Sequence, residues 1–358
     1  MLSCKGSSAG RLRILVTGVG GNVGQGILKA LARSRLASHV VGTDCNPLGA
    51  GLYAVDRGYV VPRTDDPAFL DSITGILRNE RIDLVFAAAD VETLPLARLR
   101  ARIEDATGAI VLVPAADLVE QCHDKWLTAQ CFARLDIAHP ETVRADDRNG
   151  VAALLERFGP PLVVKPRTGH GSGGVVIAQS PALVAAAADA LGADGIVQRC
   201  VDVDGPEYTA AVLCDRAARP RAGIVLRREL LQGTSYRISL VEDAGLLDTA
   251  LDWATRLRIV GPVNFQFKVE NRRPVCFEVN PRFSGTSSVR PHFGYNDVEL
   301  AARHFGLGEG IAQPDLVPGM VLRYWEEMFI PGFGWNEANR VRRVEGGRAL
   351  RPEEGEAG

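Results

Sequence analysis

The 358-residue sequence predicts an α/β protein, with a doubly wound parallel sheet first and a strand-rich α+β portion behind it. Three observations predict this. Short apolar strands alternate with amphipathic helical patterns through the first third, the signature of βαβ units. A glycine cluster closes the first strand-to-helix junction. From residue 162 onward, strand patterns dominate and helices become occasional. With 46% hydrophobic and 23% charged residues, the chain is too apolar for disorder. At roughly 100–200 residues per domain its length suits two or three domains.

In order along the chain, strands are expected at 13–17, 39–44, 58–61, 84–88 and 110–113, with a helix at 22–32 after the glycine turn. Helices take over from 115 to 140, where 128–135 runs into the break at His139-Pro140. Strands follow at 162–165, 175–178, 196–201, 208–213 and 223–228, then a helix at 243–257. Two further strands fall at 263–270 and 275–280, a helix at 297–305 and a strand near 320–324. The charged, glycine-rich stretch 342–358 reads as a disordered tail.

Charge and cysteine usage narrow the function classes. A net charge of −2 gives no whole-protein basic field, so neither nucleic acid nor a membrane is an expected partner. No apolar run approaches the ~20 residues that span a bilayer. The first thirteen residues lack the apolar stretch of a signal peptide. Seven cysteines without a CxxC pair suit reduced thiols, so a cytoplasmic enzyme is expected. Lysine is scarce, five against thirty-six arginines, and a lysine is a compact point charge that arginine does not replace geometrically.

The first glycine cluster, Thr17-Gly-Val-Gly-Gly-Asn-Val-Gly24, is followed twenty residues later by Asp44. That spacing is close to a dinucleotide fingerprint, in which glycines approach a pyrophosphate and the acid holds a ribose. An NAD(P)-dependent oxidoreductase is therefore one reading. Against it, none of the five lysines has a tyrosine four residues earlier, as a Tyr-x-x-x-Lys proton-transfer pair requires. The other reading is a glycine turn closing a structural Rossmann-like domain.

The second cluster runs Val163-Val-Lys-Pro-Arg-Thr-Gly-His-Gly-Ser-Gly-Gly-Val-Val-Ile177, a strand, a glycine loop and a strand. Such a hairpin can fold over a triphosphate, with amides of Gly169, Gly171, Ser172, Gly173 and Gly174 donating to phosphate oxygens. Lys165 would reach back to the phosphates as a point charge. A flexible hairpin tip is the alternative. No Gly-Lys pair exists, so this is not a Walker loop.

A hairpin of 264–270 and 274–280 around the turn Asn271-Arg272-Arg273 would set Gln266 opposite Glu278 and Asn264 opposite Asn280. One face would then hold Phe265, Phe267, Val269, Val275, Phe277 and Val279. The other would hold Asn264, Gln266, Lys268, Cys276, Glu278 and Asn280. One carboxylate and two amides beside a phosphate loop are hard ligands suited to Mg²⁺, with Mn²⁺ as an alternative. Arg282 would aim its guanidinium at the same place. A solvated outer face is the competing explanation.

Together these motifs resemble the ATP-grasp superfamily, and most closely the branch of the carbamoyl-phosphate synthase large chain. The similarity spans roughly residues 11–310. It is carried by Asn264-Phe-Gln266 with Glu278-Val-Asn-Pro-Arg282, by Gly205-Pro-Glu207-Tyr-Thr, and by Val164-Lys165-Pro with its glycine loop. The resemblance implies a Rossmann-like pre-ATP-grasp domain at 11–120 after a disordered 1–10. It implies a two-lobed α+β ATP-grasp module at 121–310, with its lid at about 140–200, and an extension and tail at 311–358. It further implies that Lys125 and Lys165 contact the nucleotide and that Gln198, Arg199, Cys200 and Val201 form the strand that reads adenine. By the same resemblance Glu207 holds the ribose, Gln266, Glu278 and Asn280 hold magnesium, and Arg282 stabilises the transferred phosphoryl group. One module, where the synthase carries two, is similar to stand-alone carboxylate–amine ligases.

The implied activity is formation of an amide from a small-molecule carboxylate and an amine, through an acyl phosphate, with release of ADP and phosphate. Arg227, Arg228, Arg237, Ser284 and Arg290 are candidates for the carboxylate site, and surface arginine is their alternative reading. A small-molecule kinase and a nucleotide-binding regulator would use the same ATP site. A homodimer is compatible with all of these.

Overall fold

The computed structural model describes residues 11–169, 173–331, 333–335 and 340–350, with side chains to residue 347. Gly171 and Ser172 of the expected phosphate loop lie outside these residues, as do 1–10 and 351–358.

The N-terminal part is a sheet covered on both faces. Its strands are β1 (Leu12–Val16), β2 (Ser38–Asp44), β3 (Arg57–Val60), β4 (Leu84–Phe86) and β5 (Ile110–Leu112). They run parallel in the order β3-β2-β1-β4-β5. Helices α1 (Asn22–Ala32), α2 (Phe69–Asn79) and α3 (Asp90–Thr107) connect them. Alternation along β1 explains the layering: Leu12, Ile14 and Val16 enter one apolar core, while Leu15 joins Val41, Val85 and Val111 in the core on the other face. Two helices, α4 (Ala116–His123) and α5 (Lys125–Arg134), lead out of this domain.

The stretch expected to form the lid is a four-stranded antiparallel sheet with two helices. Its elements are β6 (Thr142–Arg144), α6 (Arg148–Phe158), β7 (Leu162–Pro166), β8 (Val176–Ala178), α7 (Pro181–Leu191) and β9 (Gly195–Arg199), with strand order β6-β9-β7-β8. Behind it stands a six-stranded antiparallel sheet, built from β10 (Glu207–Cys214), β11 (Pro220–Leu231), β12 (Thr234–Leu240), β13 (Gly261–Glu270), β14 (Arg273–Asn280) and β15 (Met320–Leu322). Helix α8 (Ala244–Leu257) packs Trp253 edge-on against Phe265 and Phe267, at 5.5 and 5.6 Å between ring centres. This covers one face of the large sheet and leaves part of the opposite face as the floor of a cleft beneath the lid.

Three expectations need correction. The β13–β14 register pairs Gln266 with Glu278 and Asn264 with Asn280 as expected, but a bulge follows Gln266, and Phe267 pairs with Cys276. The turn is consequently two residues, Asn271 and Arg272, both with positive φ (49° and 62°). Beyond the bulge the faces exchange, because strand side chains alternate. Cys276 is buried in the core, while Phe277 and Val275 move to the opposite side. Second, the expected helix at 297–305 is α9 (Asp297–Ala301) continued by a π-helical turn. Third, the stretch read as a disordered tail contains β16 (Arg343–Glu345) and β17 (Arg348–Leu350), and β16 pairs antiparallel with β3 at the edge of the first sheet. Among the described residues no helix is long and apolar enough to cross a membrane.

Candidate active site

Between the lid and the large sheet lies a cleft of about 450 Å³. Lys125, Lys165, Gly169, Gly173, Gln198, Arg199, Cys200, Val201, Glu207, Gln266 and Glu278 all line it. Gly174, at φ +72°, lies outside that lining, against Pro166. A second cavity of about 30 Å³ continues past Lys125, Gly169 and Glu278 and is walled by Asn280 and Arg282.

Two lysines give the cleft its positive end. Lys165, at the end of β7, is buried, and burial pushes its pKa down to about 8 despite the attraction of Glu278. Its ammonium lies 5.9 Å from the centre of the Phe277 ring, which the bulge has turned into the cleft. Lys125 opens α5, where Asp124 caps the helix by accepting from the amides of Trp126 and Leu127. The Lys125 ammonium donates to the carbonyl of Gly169 at 3.1 Å, tying the start of the glycine loop to this helix. Burial lowers its pKa, while Glu278, Asp124 and Asp90 oppose the shift. Asp124 also pairs with Arg167 at 2.5 Å, so one carboxylate fixes both the helix and the root of the loop.

On the floor, Glu207 and Arg228 are cross-strand neighbours and form an ion pair. Arg228 also donates to Oε1 of Gln266 at 2.6 Å. Glu278 accepts through one oxygen from the amide nitrogens of Gln266 and Asn280, each at 2.9 Å. A carboxylate and two primary amides are the donor types a magnesium ion takes beside phosphates and water. Gln266 and Asn280, however, turn their nitrogens to Glu278 and their oxygens to Arg228 and Arg282, so both amides would have to turn to ligate an ion. Among the described residues, no group of three or more His, Cys, Asp or Glu side chains offers an alternative metal cage. Gln198 donates to Thr142 at 2.8 Å, and Arg199 joins Glu141 and Glu270, linking lid strands to the β13–β14 hairpin. Arg282 binds Asp90 at 2.5 and 2.7 Å and Oδ1 of Asn280 at 3.0 Å.

The residues expected to hold a carboxylate substrate do not gather. Of the five, Arg228 alone lines the cleft. Arg227 and Arg237 are exposed and project from the opposite face, since Arg227 neighbours Arg228 in the strand and Arg237 pairs with Glu229. Arg290 is fully buried. It pairs with Asp297 and donates to Asn264, Ser284, Thr286 and Ser287, so Arg290 and Ser284 form a structural knot. Sequence reasoning missed Asp90, Asp124 and Phe277. For Asp124 a signal existed, a capping residue immediately before the helix that begins at Lys125.

The first glycine cluster does not present a dinucleotide site. The Gly20 amide, one of those a pyrophosphate would use, donates to Asp44 at 2.7 Å. A Cβ on Gly24 would stand 2.3 Å from the Gly18 carbonyl oxygen, so that glycine permits close packing of α1 on the loop. Glu92 is buried beneath the loop, and its burial raises its pKa to about 7.

The comparisons with known proteins fall on the same geometry. Residues 14–112 match the family described as PylC-like, N-terminal domain, and residues 200–328 match ATP-grasp in the biosynthetic pathway with Ter operon. The second match, over 129 residues, makes the C-terminal portion similar to an ATP-grasp family. The arginine-specific carbamoyl phosphate synthase large chain of Geobacillus stearothermophilus is 25% identical over 300 residues, covering 78% of this chain and 28% of that one. The large chain of Acidobacterium capsulatum is 26% identical over 305 residues, covering 76% and 27%. This chain therefore spans little more than a quarter of these relatives. The N5-carboxyaminoimidazole synthetase of Staphylococcus aureus, solved with ADP, superposes with a TM-score of 0.71 at 11% identity, over 89% of this chain and 84% of that one. The biotin carboxylase domain of Hydrogenobacter thermophilus 2-oxoglutarate carboxylase, solved with MgADP and bicarbonate, gives 0.65 at 14% identity, over 86% and 73%. Both likenesses concern the fold alone.

Proposed function

We propose that this chain is an ATP-dependent carboxylate–amine ligase. The reading rests above all on one observation: Lys125 and Glu278 line both the 450 Å³ cleft and the smaller cavity, with Lys165 in the wall of the first and Arg282 in the wall of the second. A triphosphate lying along the cleft would end at that shared wall. Adenine would meet the strand 198–201, the ribose Glu207 and the α- and β-phosphates Lys165. Gly169, Gly173 and Gly174 belong to the loop that would close above the phosphates and keep water away.

The reaction brings two anions together, so cations must offset their repulsion. Glu278, Gln266 and Asn280 would hold Mg²⁺, which supplies charge neutralisation at the phosphates when bound. Arg282 carries the fixed guanidinium suited to the phosphoryl group in flight and to the acyl phosphate it becomes. In bonds, the γ-phosphorus leaves the bridging oxygen of ADP and joins an oxygen of the substrate carboxylate. An amine nitrogen then forms the C–N bond as the C–O bond to phosphate breaks. Phosphate leaves with that electron pair and takes a proton from nitrogen.

A carboxylate panel assayed for ADP and phosphate release, with and without amines, tests the reading. Release that needs both a carboxylate and an amine is expected, whereas a stable phosphorylated product would favour the kinase reading. Mg-ATP at a hundred times its Kd should stabilise the protein by about 2.7 kcal/mol. A thermal shift with NADPH and none with Mg-ATP would overturn the nucleotide assignment.

A further inference from the structure

The cleft contains a further cation, Lys268, two residues beyond Gln266 on β13, and both side chains face the cleft. Among the described residues no carboxylate pairs with its ammonium, which is committed to backbone instead. It donates to the carbonyl of Asp202 at 2.6 Å and to that of Val203 at 3.4 Å. These residues open the turn Asp202-Val203-Asp204-Gly205, in which the Gly205 amide also donates to the Asp202 carbonyl, at 3.1 Å. The turn connects β9 to β10, with Gln198, Arg199, Cys200 and Val201 before it and Glu207 after it. Its backbone is strained, since Asp202 has a φ of +38°, a region that residues with a Cβ avoid. Its packing is tight, since a Cβ on Gly205 would stand 1.7 Å from Oδ2 of Asp202. Strands β10 and β13 are paired as far as Tyr208 and Phe267, and the end of that ladder sets Lys268 beside the turn.

We propose that Lys268 is a positioning residue for base selection, gripping this turn so that residues 198–201 and Glu207 are held at fixed places along the cleft. This rests on the nucleotide reading of the cleft and adds to it the device that sets which base is preferred. Strand β13 then serves both ends of the nucleotide, with Gln266 toward the phosphates and Lys268 at the turn behind the base and ribose. Arg199 is tied to the end of the same strand, where it pairs with Glu270 at 2.7 Å. A hydrogen bond from an ammonium is stronger than one between neutral groups, so a single side chain can hold a strained turn in place. In this role Lys268 acts through the turn and contacts no reacting atom. Without it the backbone groups that meet the base would shift, while Lys125 and Lys165 would still meet the phosphates.

The alternative role for Lys268 is that of a general cation of the cleft, and the two roles separate by the base of the nucleotide. Wild type, Lys268→Met and Lys268→Arg are titrated calorimetrically with Mg-ATP, and with Mg-GTP in competition with ATP. Positioning predicts that Kd for Mg-ATP rises about tenfold or more in Lys268→Met, the worth of a charged hydrogen bond. Kd for Mg-GTP should stay within about threefold of wild type, because a base that fits the strand poorly gains little from its placement. Lys268→Arg keeps a charged donor and should recover part of the ATP affinity. Gly205→Ala displaces the turn from its other side and should narrow the preference for ATP in the same way with Lys268 intact. It also carries the test if Lys268→Met proves unfolded, which the melting temperature of each nucleotide-free variant shows. Equal losses for the two nucleotides would make Lys268 a general cation and overturn the proposal. An unchanged Kd for Mg-ATP, or a wild type that binds both nucleotides equally, would overturn it too. If wild type binds no Mg-ATP, the nucleotide reading itself fails and takes the proposal with it.

Discussion

Lys165 shows how a residue proposed to bind phosphate can oppose the stability of the fold that carries it. Its ammonium is buried, with Glu278 as the principal opposing charge, and its pKa falls from 10.5 to about 8. The folded state therefore holds this proton less tightly than the unfolded chain does. Stability gains from this group as the pH rises from about 8 toward 10.5, and at neutral pH the charge is a burden. Lys165→Met, similar in length but uncharged, should raise the melting temperature of the nucleotide-free protein at pH 7 and remove that pH-dependent gain. It should also abolish the Mg-ATP-induced shift, because a phosphate contact is lost. Thermal unfolding at pH 7 and 9.5, with and without Mg-ATP, checks both effects. A variant that keeps the full nucleotide shift would remove Lys165 from the phosphate site. At this scale the sequence was readable wherever a residue's chemistry was unusual for its neighbourhood, as with a rare lysine at a strand end. It was unreadable where the meaning came from a distant partner. Nothing near Asp90 in sequence announces that Arg282, 192 positions away, will bind it.

Elements were legible where the pattern is periodic, and less so where backbone conformation intervenes. The hairpin β13–β14 contains both cases. Alternation set Gln266 opposite Glu278, which is what the candidate metal site requires. The turn was read as three residues because Asn271-Arg272 lacks the glycine that marks a tight hairpin, yet both residues adopt positive φ. One residue is thereby displaced into the bulge after Gln266, and Phe277 reaches the cleft in place of Cys276. The two-residue turn carries a left-handed cost at Arg272, where φ is +62° and the side chain is exposed. Arg272→Gly gives the Asn-Gly pair such turns favour and should stabilise the protein by up to about 1 kcal/mol. Chemical denaturation at unchanged slope would show it. A loss of stability would mean that the Arg272 side chain contributes more than its backbone strain costs.

For the whole molecule, the chain's last described strands return to its first sheet. The stretch from residue 342 was read as disordered because charged residues flank Gly346-Gly347, the composition of a tail. A hairpin of two three-residue strands is too short to show a period, and it is stable here because another domain supplies its partner. Val344 pairs with Gly58 of β3, and Val341 and Val344 are buried in the same core as Ile14, Val16 and Leu52. The Val60 amide donates to the Arg342 carbonyl at 2.9 Å, continuing the sheet. Without this segment β3 would be an open edge above uncovered apolar side chains. Burying one valine contributes roughly 1.5–3 kcal/mol, and such figures are upper estimates. Truncation after Arg340 should therefore lower stability by about 3 kcal/mol or more and produce concentration-dependent association, seen by light scattering. The cleft proposed for the nucleotide draws no lining residue from 341–350, so the surviving monomer should keep its Mg-ATP thermal shift. Val344→Asp in the untruncated 358-residue chain provides a second route, since it places an unpaired charge in the core without removing residues. If both variants unfold like wild type and remain monomeric, the hairpin does not stay docked on β3 in solution. Loss of the Mg-ATP shift along with stability would instead show that the edge of the first sheet and the distant ATP cleft unfold as one cooperative unit.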